Sequence, residues 1–232
     1  GAGNLISGNT TSGVVIDGAN NNTVAGNLIG LAADGNTALA NGEFGVGVVA
    51  GASGNLIGGP TTASRNVISG NTQYGLDIDA AIGPTANNTV QNNYLGTNAA
   101  GSVAVGNGSF GLVIDFGATN TTVLNNLISG NTAPGWSASR GGIYLYGNGA
   151  TIQGNVIGLD ATGTTFIGNG GGASTAGIYE AGGSTGALIG GTGAGQGNTI
   201  AGNTGPGVVV LATGNIRVLG NSIYSNSGLG ID

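Results

Sequence analysis

The sequence contains no cysteine, histidine, lysine or methionine, and only four prolines. Without cysteine there are no disulfides and no thiolate zinc sites. Without histidine the commonest metal ligand and general base is missing. The chain carries three arginines and nine acidic residues, which give a net charge of −6. Because three arginines cannot neutralise a phosphate backbone, nucleic acid is not an expected partner.

Long apolar runs are also missing. No segment approaches the ~18 apolar residues that cross a bilayer, so no membrane span is expected. No basic and then apolar leader opens the chain, and position 1 is glycine. We therefore expect a processed form or a piece of a longer protein. The composition does not shift along the chain, which predicts a single domain over residues 1–232.

Glycine supplies 53 of the 232 residues, which would indicate disorder if the aliphatic residues were not regularly spaced. An asparagine followed two residues later by Ile or Leu recurs along the whole chain. These marker asparagines are Asn4, Asn27, Asn66, Asn93, Asn126, Asn155, Asn198 and Asn221. Self-similarity of this kind is typical of stacked units that bury one continuous core. We predict a solenoid of about eight turns, or rungs.

Each rung divides into three strand-like segments. The marker opens the first, and the second is a glycine followed by alternating aliphatics, as in 13–16 and 111–114. The third contributes one aliphatic residue, such as Val24 or Val90. Period-2 alternation in short β-branched runs indicates strands, and no segment has a helical period. The predicted fold is all-β, with three parallel sheets.

The rungs alternate between short and long, which gives a two-rung super-repeat of about 60 residues. Each long rung inserts a loop rich in Gly, Ala, Asn and Thr, at 31–44, 97–110 and 159–176. All three loops leave the same corner of the rung. We expect them to stack as a ridge along one side of the solenoid.

The marker asparagines have a structural explanation. An asparagine at the same inward point of every rung can bond its amide to the amides above and below, and can cap the backbone of a turn. Such a ladder satisfies polar groups at a bend. We interpret this column as structural and not as a ligand site.

The elements NVISGN (66–71), GNLIG (26–30) and GVVI (13–16) resemble the repeats of the pectate-lyase-like superfamily of right-handed parallel β-helices. They are most similar to the long repeat arrays of very large secreted or surface proteins of bacteria. The resemblance covers essentially the whole chain and implies a right-handed parallel β-helix. It does not specify an activity, since that superfamily includes lyases, hydrolases, phage tail spikes, adhesins and inert scaffolds.

The resemblance also implies what an enzyme of this fold would need. Family members that cleave polysaccharide use carboxylates that hold calcium with an Arg or Lys base, or paired acids near a His and an Arg or Lys. His and Lys are absent here, which breaks the hydrolase pattern. We therefore assign no catalytic and no cofactor-binding residue.

Three acids are predicted to lie close together. Asp79 and Asp115 occupy the same position after the second strand of adjacent rungs, and Asp77 precedes Asp79 on the same outer face. Carboxylates this close either raise one pKa or recruit a cation. Three interpretations stay open: a solvated acidic strip, a calcium site formed by Asp77, Asp79 and Asp115, or a carboxylate pair for glycosidic chemistry. Calcium is the one candidate cofactor.

Glu180 stands in a column that is otherwise aliphatic. It is either a buried acid or lies at a bulge that turns its side chain outward. We favour the bulge.

The residue between each marker asparagine and its aliphatic partner points outward and is usually apolar. These residues form a stripe, namely Leu5, Leu28, Val67, Tyr94, Leu127 and Val156. A contiguous apolar stripe is a contact surface unless something covers it. Either a partner or the long-rung loops could do so.

The function we expect is a non-catalytic, extracellular or cell-surface structural module, such as a fibre, filament, stalk or adhesin. Open solenoid ends offer unpaired backbone, so the expected partner is the chain itself, by end-to-end stacking or by continuation of a longer chain. Surface glycans are a further candidate partner. The competing hypothesis is a carbohydrate-active or carbohydrate-binding β-helix that uses Asp77, Asp79 and Asp115.

Overall fold

The computed structural model describes residues 3–132, 139–171, 175–211 and 214–232. Three strands recur in each turn, and each lies in register with its counterpart in the next turn. The first sheet contains β1 (Leu5–Ile6), β4 (Leu28–Ile29), β7 (Val67–Ile68), β10 (Tyr94–Leu95), β13 (Leu127–Ile128), β16 (Val156–Ile157), β19 (Thr199–Ala201) and β22 (Ser222–Tyr224).

The second and third sheets follow the same order along the stack. The second contains β2 (Val14–Asp17), β5 (Val46–Val49), β8 (Leu76–Asp79), β11 (Phe110–Asp115), β14 (Gly141–Leu145), β17 (Ile178–Glu180) and β20 (Val208–Val210). The third contains β3 (Thr23–Val24), β6 (Leu56–Gly58), β9 (Thr89–Gln91), β12 (Thr122–Leu124), β15 (Thr151–Gln153), β18 (Leu188–Gly190) and β21 (Arg217–Leu219). A single 3-10 turn, Thr62–Ser64, is the one helical element among the described residues.

These sheets confirm the predicted all-β, three-sheet solenoid. Every pairing between named strands is parallel. The rung count differs slightly from the prediction, because the first sheet has eight strands and the other two have seven each within the described residues. The last marker asparagine opens a turn that the third sheet does not share.

The core lies between the three sheets and consists of vertical files of like side chains. In the first sheet Ile68, Leu95 and Ile128 pair directly across neighbouring strands, and all are fully buried. Short β-branched and aliphatic runs suit this arrangement, because alternate residues point inward while the pleat holds them above one another. Each file therefore buries apolar area in every rung.

The long-rung insertions form small hairpins, closed by antiparallel bridges between Leu31 and Ala38, Thr97 and Ala104, and Leu159 and Phe166. The hairpins stack on one another across two rungs. The N–H of Ala99 donates to the carbonyl of Gly35, and the N–H of Ala161 donates to that of Gly101, both at 2.8 Å. The structure thus contains the ridge that the alternating rung lengths predict.

Within the described residues, no helix has the length and apolar character needed to cross a bilayer.

Candidate functional site

The marker asparagines form a continuous ladder at the corner before the first sheet. Each Nδ2 donates to the Oδ1 of the next marker at 2.8 to 3.1 Å. The backbone N–H of each marker donates to the same oxygen, for example Asn93 to Asn126 at 2.8 Å. The second amide proton reaches a carbonyl of the preceding rung, as from Asn93 to Ile57 at 2.9 Å. The ladder confirms the structural interpretation of this column.

A second ladder, which the sequence argument missed, lies at the corner between the first and second sheets. Its Nδ2 to Oδ1 distances are 2.8 to 3.0 Å. Its members are Asn9, Asn41, Asn71, Asn107, Asn131, Asn169, Asn203 and Asn226. In the short rungs that begin at 4, 66 and 126 the signal is the final Asn of SGN, and in the one that begins at 198 it is the final Asn of AGN. In long rungs the Asn follows the hairpin, so its distance from the marker changes and the column is hard to see.

The second ladder also explains why position 96 is glycine. Gly96 has a φ of +98°, and a Cβ at this residue would lie 2.3 Å from Oδ1 of Asn131. Only glycine accepts both the left-handed backbone and the close approach of the amide.

A third, shorter ladder joins Asn22, Asn55 and Asn88 at the corner before the third sheet. Thr121 follows in the same column and is fully buried. Its Oγ1 is one of the few buried side-chain atoms in the described residues without a hydrogen-bond partner. The ladder therefore ends at a residue whose hydroxyl is left unsatisfied.

The predicted acidic trio lies on the second sheet. Asp115 pairs directly with Asp79 across β11 and β8, and Val113 pairs with Asp77. Asp79 and Asp115 are half-buried at the end of their strands, where Asp115 accepts a hydrogen bond from the N–H of Phe116 at 2.8 Å. Asp79 accepts one from the N–H of Ala81. The register of adjacent rungs thus brings these two carboxylates together.

Asp77 departs from the expectation of a solvated strip, because only 5% of its surface is exposed. Burial, followed by the charges of Asp79 and Asp115, raises the pKa of Asp77 to about 8. Burial is also the main reason that the pKa of Asp115 is raised, with Asp79 adding to it. At neutral pH the protonated form of Asp77 predominates, since the environment disfavours its charged form.

Aromatic rings lie on the second sheet near Asp77. Phe44 and Tyr74 stack with ring centroids 5.7 Å apart and an interplanar angle of 4°. Phe44 lies against Gly47, the residue that pairs with Asp77. Burial and the charges of Asp77 and Asp115 raise the pKa of Tyr74 to about 12. The row continues with Tyr144 and Tyr179, which stack at 6.1 Å.

The same enclosure bears on the calcium hypothesis. Across the residues that the structure describes, no group of three or more Asp, Glu, His or Cys side chains is arranged to hold a metal ion. Asp77 is enclosed, so Asp79 and Asp115 are the two members of the trio that remain open to solvent. Calcium binding by Asp77, Asp79 and Asp115 stays a prediction, and this geometry does not favour it.

The outward bulge favoured for Glu180 is wrong, because Glu180 is fully buried and continues β17 in register with Leu145. Its Oε1 accepts hydrogen bonds from the N–H groups of Gly182 and Ser184 and from the Ser184 hydroxyl. Its Oε2 accepts one from the N–H of Leu211 at 2.9 Å. A carboxylate is tolerated inside because these donors surround it.

The apolar stripe of the first sheet is covered in its middle and open at its start. Val67 and Leu127 are buried, Leu28, Tyr94 and Val156 are half-buried, and Leu5 is 50% exposed. A Cβ at Gly101, in the hairpin 97–104, would lie 2.8 Å from the Tyr94 ring and 3.0 Å from Leu127. The guanidinium of Arg65 lies 4.0 Å from the centroid of the same ring. The long-rung loops thus cover part of the stripe. This was one of the two alternatives predicted from the sequence.

Comparison with family models shows which family the chain belongs to. Residues 2–157 match the model of the right handed beta helix region. The chain belongs to the right-handed β-helix family. No curated protein sequence matches the chain. Among solved structures it is similar to PfbA, a surface adhesin of Streptococcus pneumoniae, with 13% identity, 98% of this chain and 78% of that chain covered, and a TM-score of 0.38. At that TM-score the likeness supports no functional argument for the β-helix.

Proposed function

We propose that this β-helix is a non-catalytic structural module of an extracellular or cell-surface protein, such as a fibre, filament, stalk or adhesin. The observation that carries the proposal is the pair of long asparagine ladders, which join all neighbouring rungs at two corners. Polar side chains at these corners bond to other rungs, and that arrangement suits a rigid spacer.

Regularity supports the same conclusion. An enzyme needs a local departure from the repeat that brings an acid, a base and a substrate groove together. Here the main departure inside the core, Glu180, is enclosed by backbone donors and by Ser184. Its environment suits a buried structural group and gives no access to substrate.

The proposal is tested by a screen for cleavage of acidic and neutral glycans, with the wild-type chain and the double variant Asp79→Ala/Asp115→Ala. We expect no cleavage that depends on this pair, and we expect both proteins to keep the same fold by circular dichroism. Asp34→Ala is the control, because Asp34 is an exposed acid in the first hairpin, outside the second sheet. Cleavage by the wild type that the double variant loses and Asp34→Ala retains would overturn the structural proposal.

A second candidate function is glycan binding or cleavage at the second sheet. The observation that favours it is the direct pairing of Asp79 with Asp115, next to Asp77 whose pKa is raised to about 8. A pair of carboxyl groups is what most glycoside hydrolases use as their catalytic groups. A surface cleft of about 340 Å³, lined in part by Asp17 and Asp79, lies at the same edge. The same screen decides whether this pair cleaves glycans.

A further inference from the structure

Asparagine is followed directly by glycine at four places in the chain, namely Asn41, Asn107, Asn148 and Asn169. This dipeptide is prone to spontaneous deamidation, because glycine has no side chain to hinder its backbone nitrogen and leaves the main chain free to bend. That nitrogen attacks Cγ of the asparagine and loses its proton. The Cγ–Nδ2 bond breaks, and the amide nitrogen takes up protons and leaves as ammonia. Water then opens the resulting succinimide to aspartate or isoaspartate, so the reaction needs no co-reactant except water.

Three of these asparagines belong to the second ladder and are fully buried, namely Asn41, Asn107 and Asn169. At Asn107 both Nδ2 protons are donated, one to Oδ1 of Asn131 at 3.0 Å and one to the carbonyl of Ile68 at 3.1 Å. The N–H of Gly108 donates to the carbonyl of Asn71 at 2.9 Å. The other two sites have the equivalent bonds. The amide that must leave is thus bonded twice and enclosed.

The fourth asparagine, Asn148, lies outside the ladders at the corner between β14 and β15. It is half-buried. The N–H and the hydroxyl of Thr185, in the next rung, both donate to its Oδ1 at 2.9 Å, at an exposed part of the surface. When the glycine nitrogen attacks Cγ, negative charge develops on this oxygen. The two donors therefore stabilise the charge that the reaction creates.

Burial is the feature that separates the four sites. The glycine N–H is bonded at all of them, since Gly149 also donates, to the carbonyl of Thr185 at 2.8 Å. Two donors face Oδ1 in the ladder as well, as Asn71 does at Asn107. Water reaches Asn148, however, so ammonia can leave there and the succinimide can be hydrolysed. In the ladder the same reaction must wait until the buried rungs open.

We propose that Asn148 is the site at which the folded chain deamidates, and that the second ladder protects the other three Asn-Gly steps. Conversion affects contacts between rungs. The N–H of Asn148 donates to the carbonyl of Ala118 at 2.9 Å, and its carbonyl accepts from the N–H of Asn120 at 2.8 Å. Isoaspartate lengthens the main chain between these bonds and the bond from Gly149, and so loosens this corner.

The test follows the wild-type chain in isotopically labelled water at slightly alkaline pH, both folded and in urea. Heavy oxygen enters each site as its succinimide opens, and mass mapping of peptides after pepsin digestion at low pH reads the four sites separately. In the folded chain we expect Asn148 to convert at least about tenfold faster than Asn107, which must wait for an opening of the ladder. In urea the four sites should convert within about threefold of one another, because the ladder no longer surrounds three of them.

Two variants identify the site and its donor. Asn148→Gln keeps an amide there but would have to close a larger, less favourable ring, so the label should disappear from this peptide. Thr185→Val removes the hydroxyl donor and should slow conversion at Asn148 by at least about threefold. Thr164→Val is the matched control, because Thr164 is an exposed threonine in the hairpin closed by Leu159 and Phe166, and it should leave the rate unchanged.

Conversion at Asn107 that keeps pace with Asn148 in the folded chain would overturn the inference, as would a folded chain in which Asn148 reacts as slowly as the three ladder asparagines. An unchanged rate in Thr185→Val would overturn the part assigned to Thr185. The inference does not depend on the proposed structural role, which the glycan screen tests separately.

Discussion

The carboxylate of Glu180 accepts a hydrogen bond from the hydroxyl of Ser184 at 2.8 Å inside the core of the solenoid. It also accepts hydrogen bonds from three backbone N–H groups, those of Gly182, Ser184 and Leu211. Because Leu211 belongs to the next rung, this carboxylate joins two turns at a position where other rungs carry an aliphatic residue. This acidic side chain is therefore a structural element of the file.

We predict that Glu180→Leu destabilises the chain by about 2–4 kcal/mol, although leucine matches the rest of the file. The substitution leaves several buried donors without an acceptor. Glu180→Gln should cost less, because its carbonyl oxygen can still accept. Chemical denaturation measures both, and Leu145→Met in the same file is the volume-matched control, expected below about 1.5 kcal/mol. Equal effects of Glu180→Leu and Leu145→Met would contradict the prediction.

Stability should fall as the pH rises from about 4 to about 8. Burial and two neighbouring carboxylates raise the pKa of Asp77 from 3.8 in the unfolded chain to about 8 in the folded chain. Between these values the folded state holds a proton that the unfolded state has released, so the free energy of unfolding decreases with pH by up to about 1.4 kcal/mol per unit. The raised pKa of Asp115 acts in the same direction.

The measurement is urea denaturation of the wild type and Asp77→Asn at a series of pH values. Most of the slope between pH 4 and 8 should disappear in the variant, because asparagine does not titrate. A slope of the same size in both proteins would show that Asp77 is not its source.

Thr121→Val should stabilise the chain by about 1 kcal/mol. The Thr121 hydroxyl is fully buried without a partner, so valine removes an unsatisfied group and keeps the shape. Thr85→Val is the matched control. The buried Thr85 hydroxyl donates to the carbonyl of Asp79 at 2.7 Å and accepts from the N–H of Gly51, so its removal should destabilise. Thermal unfolding measures the change in Tm for each variant. Changes of the same sign in both variants would contradict this prediction.

The second ladder should contribute most to stability where its asparagines are buried. Asn107→Asp places a carboxylate oxygen against Oδ1 of Asn131, where the wild type has a donor at 3.0 Å. Asn107 is fully buried, and we expect a loss of about 3 kcal/mol or more. Asn9→Asp makes the same change at the exposed first rung and should cost less than half as much. Equal midpoints of denaturation for the two variants would show that the buried part of the second ladder contributes no more to stability than its exposed first rung.

The sequence predicted those features that repeat at a fixed place in the rung. The marker asparagine precedes its strand by one residue in every turn. The first ladder and the inward file of Ile29, Ile68 and Leu95 could therefore be predicted from the sequence. The second ladder was hidden because the hairpins displace its asparagines along the chain in alternate rungs. The register of Asp79 with Asp115 was readable for the same reason as the markers.

The burial of Asp77 and Glu180 could not be predicted from the sequence, because it depends on residues from other rungs. Asp77 is buried although its strand neighbours Leu76 and Ile78 fill the core, and Phe44 of the neighbouring rung lies against Gly47, which pairs with Asp77. Glu180 needs Leu211 of the following rung and the backbone of Gly182. Alternation along one strand assigns a face to a side chain, but it does not show what covers that face.

The asparagine ladders join the rungs of the solenoid into one structural unit. The most direct test is residue-resolved hydrogen exchange of the backbone N–H groups of the markers, because these groups donate to the next asparagine side chain, as Asn93 does to Asn126 at 2.8 Å and Asn126 to Asn155 at 2.9 Å. We predict protection of both near the free energy of global unfolding, and fast exchange at Asn221 in the last rung. Rapid exchange at Asn93 and Asn126 in the folded chain would contradict the claim.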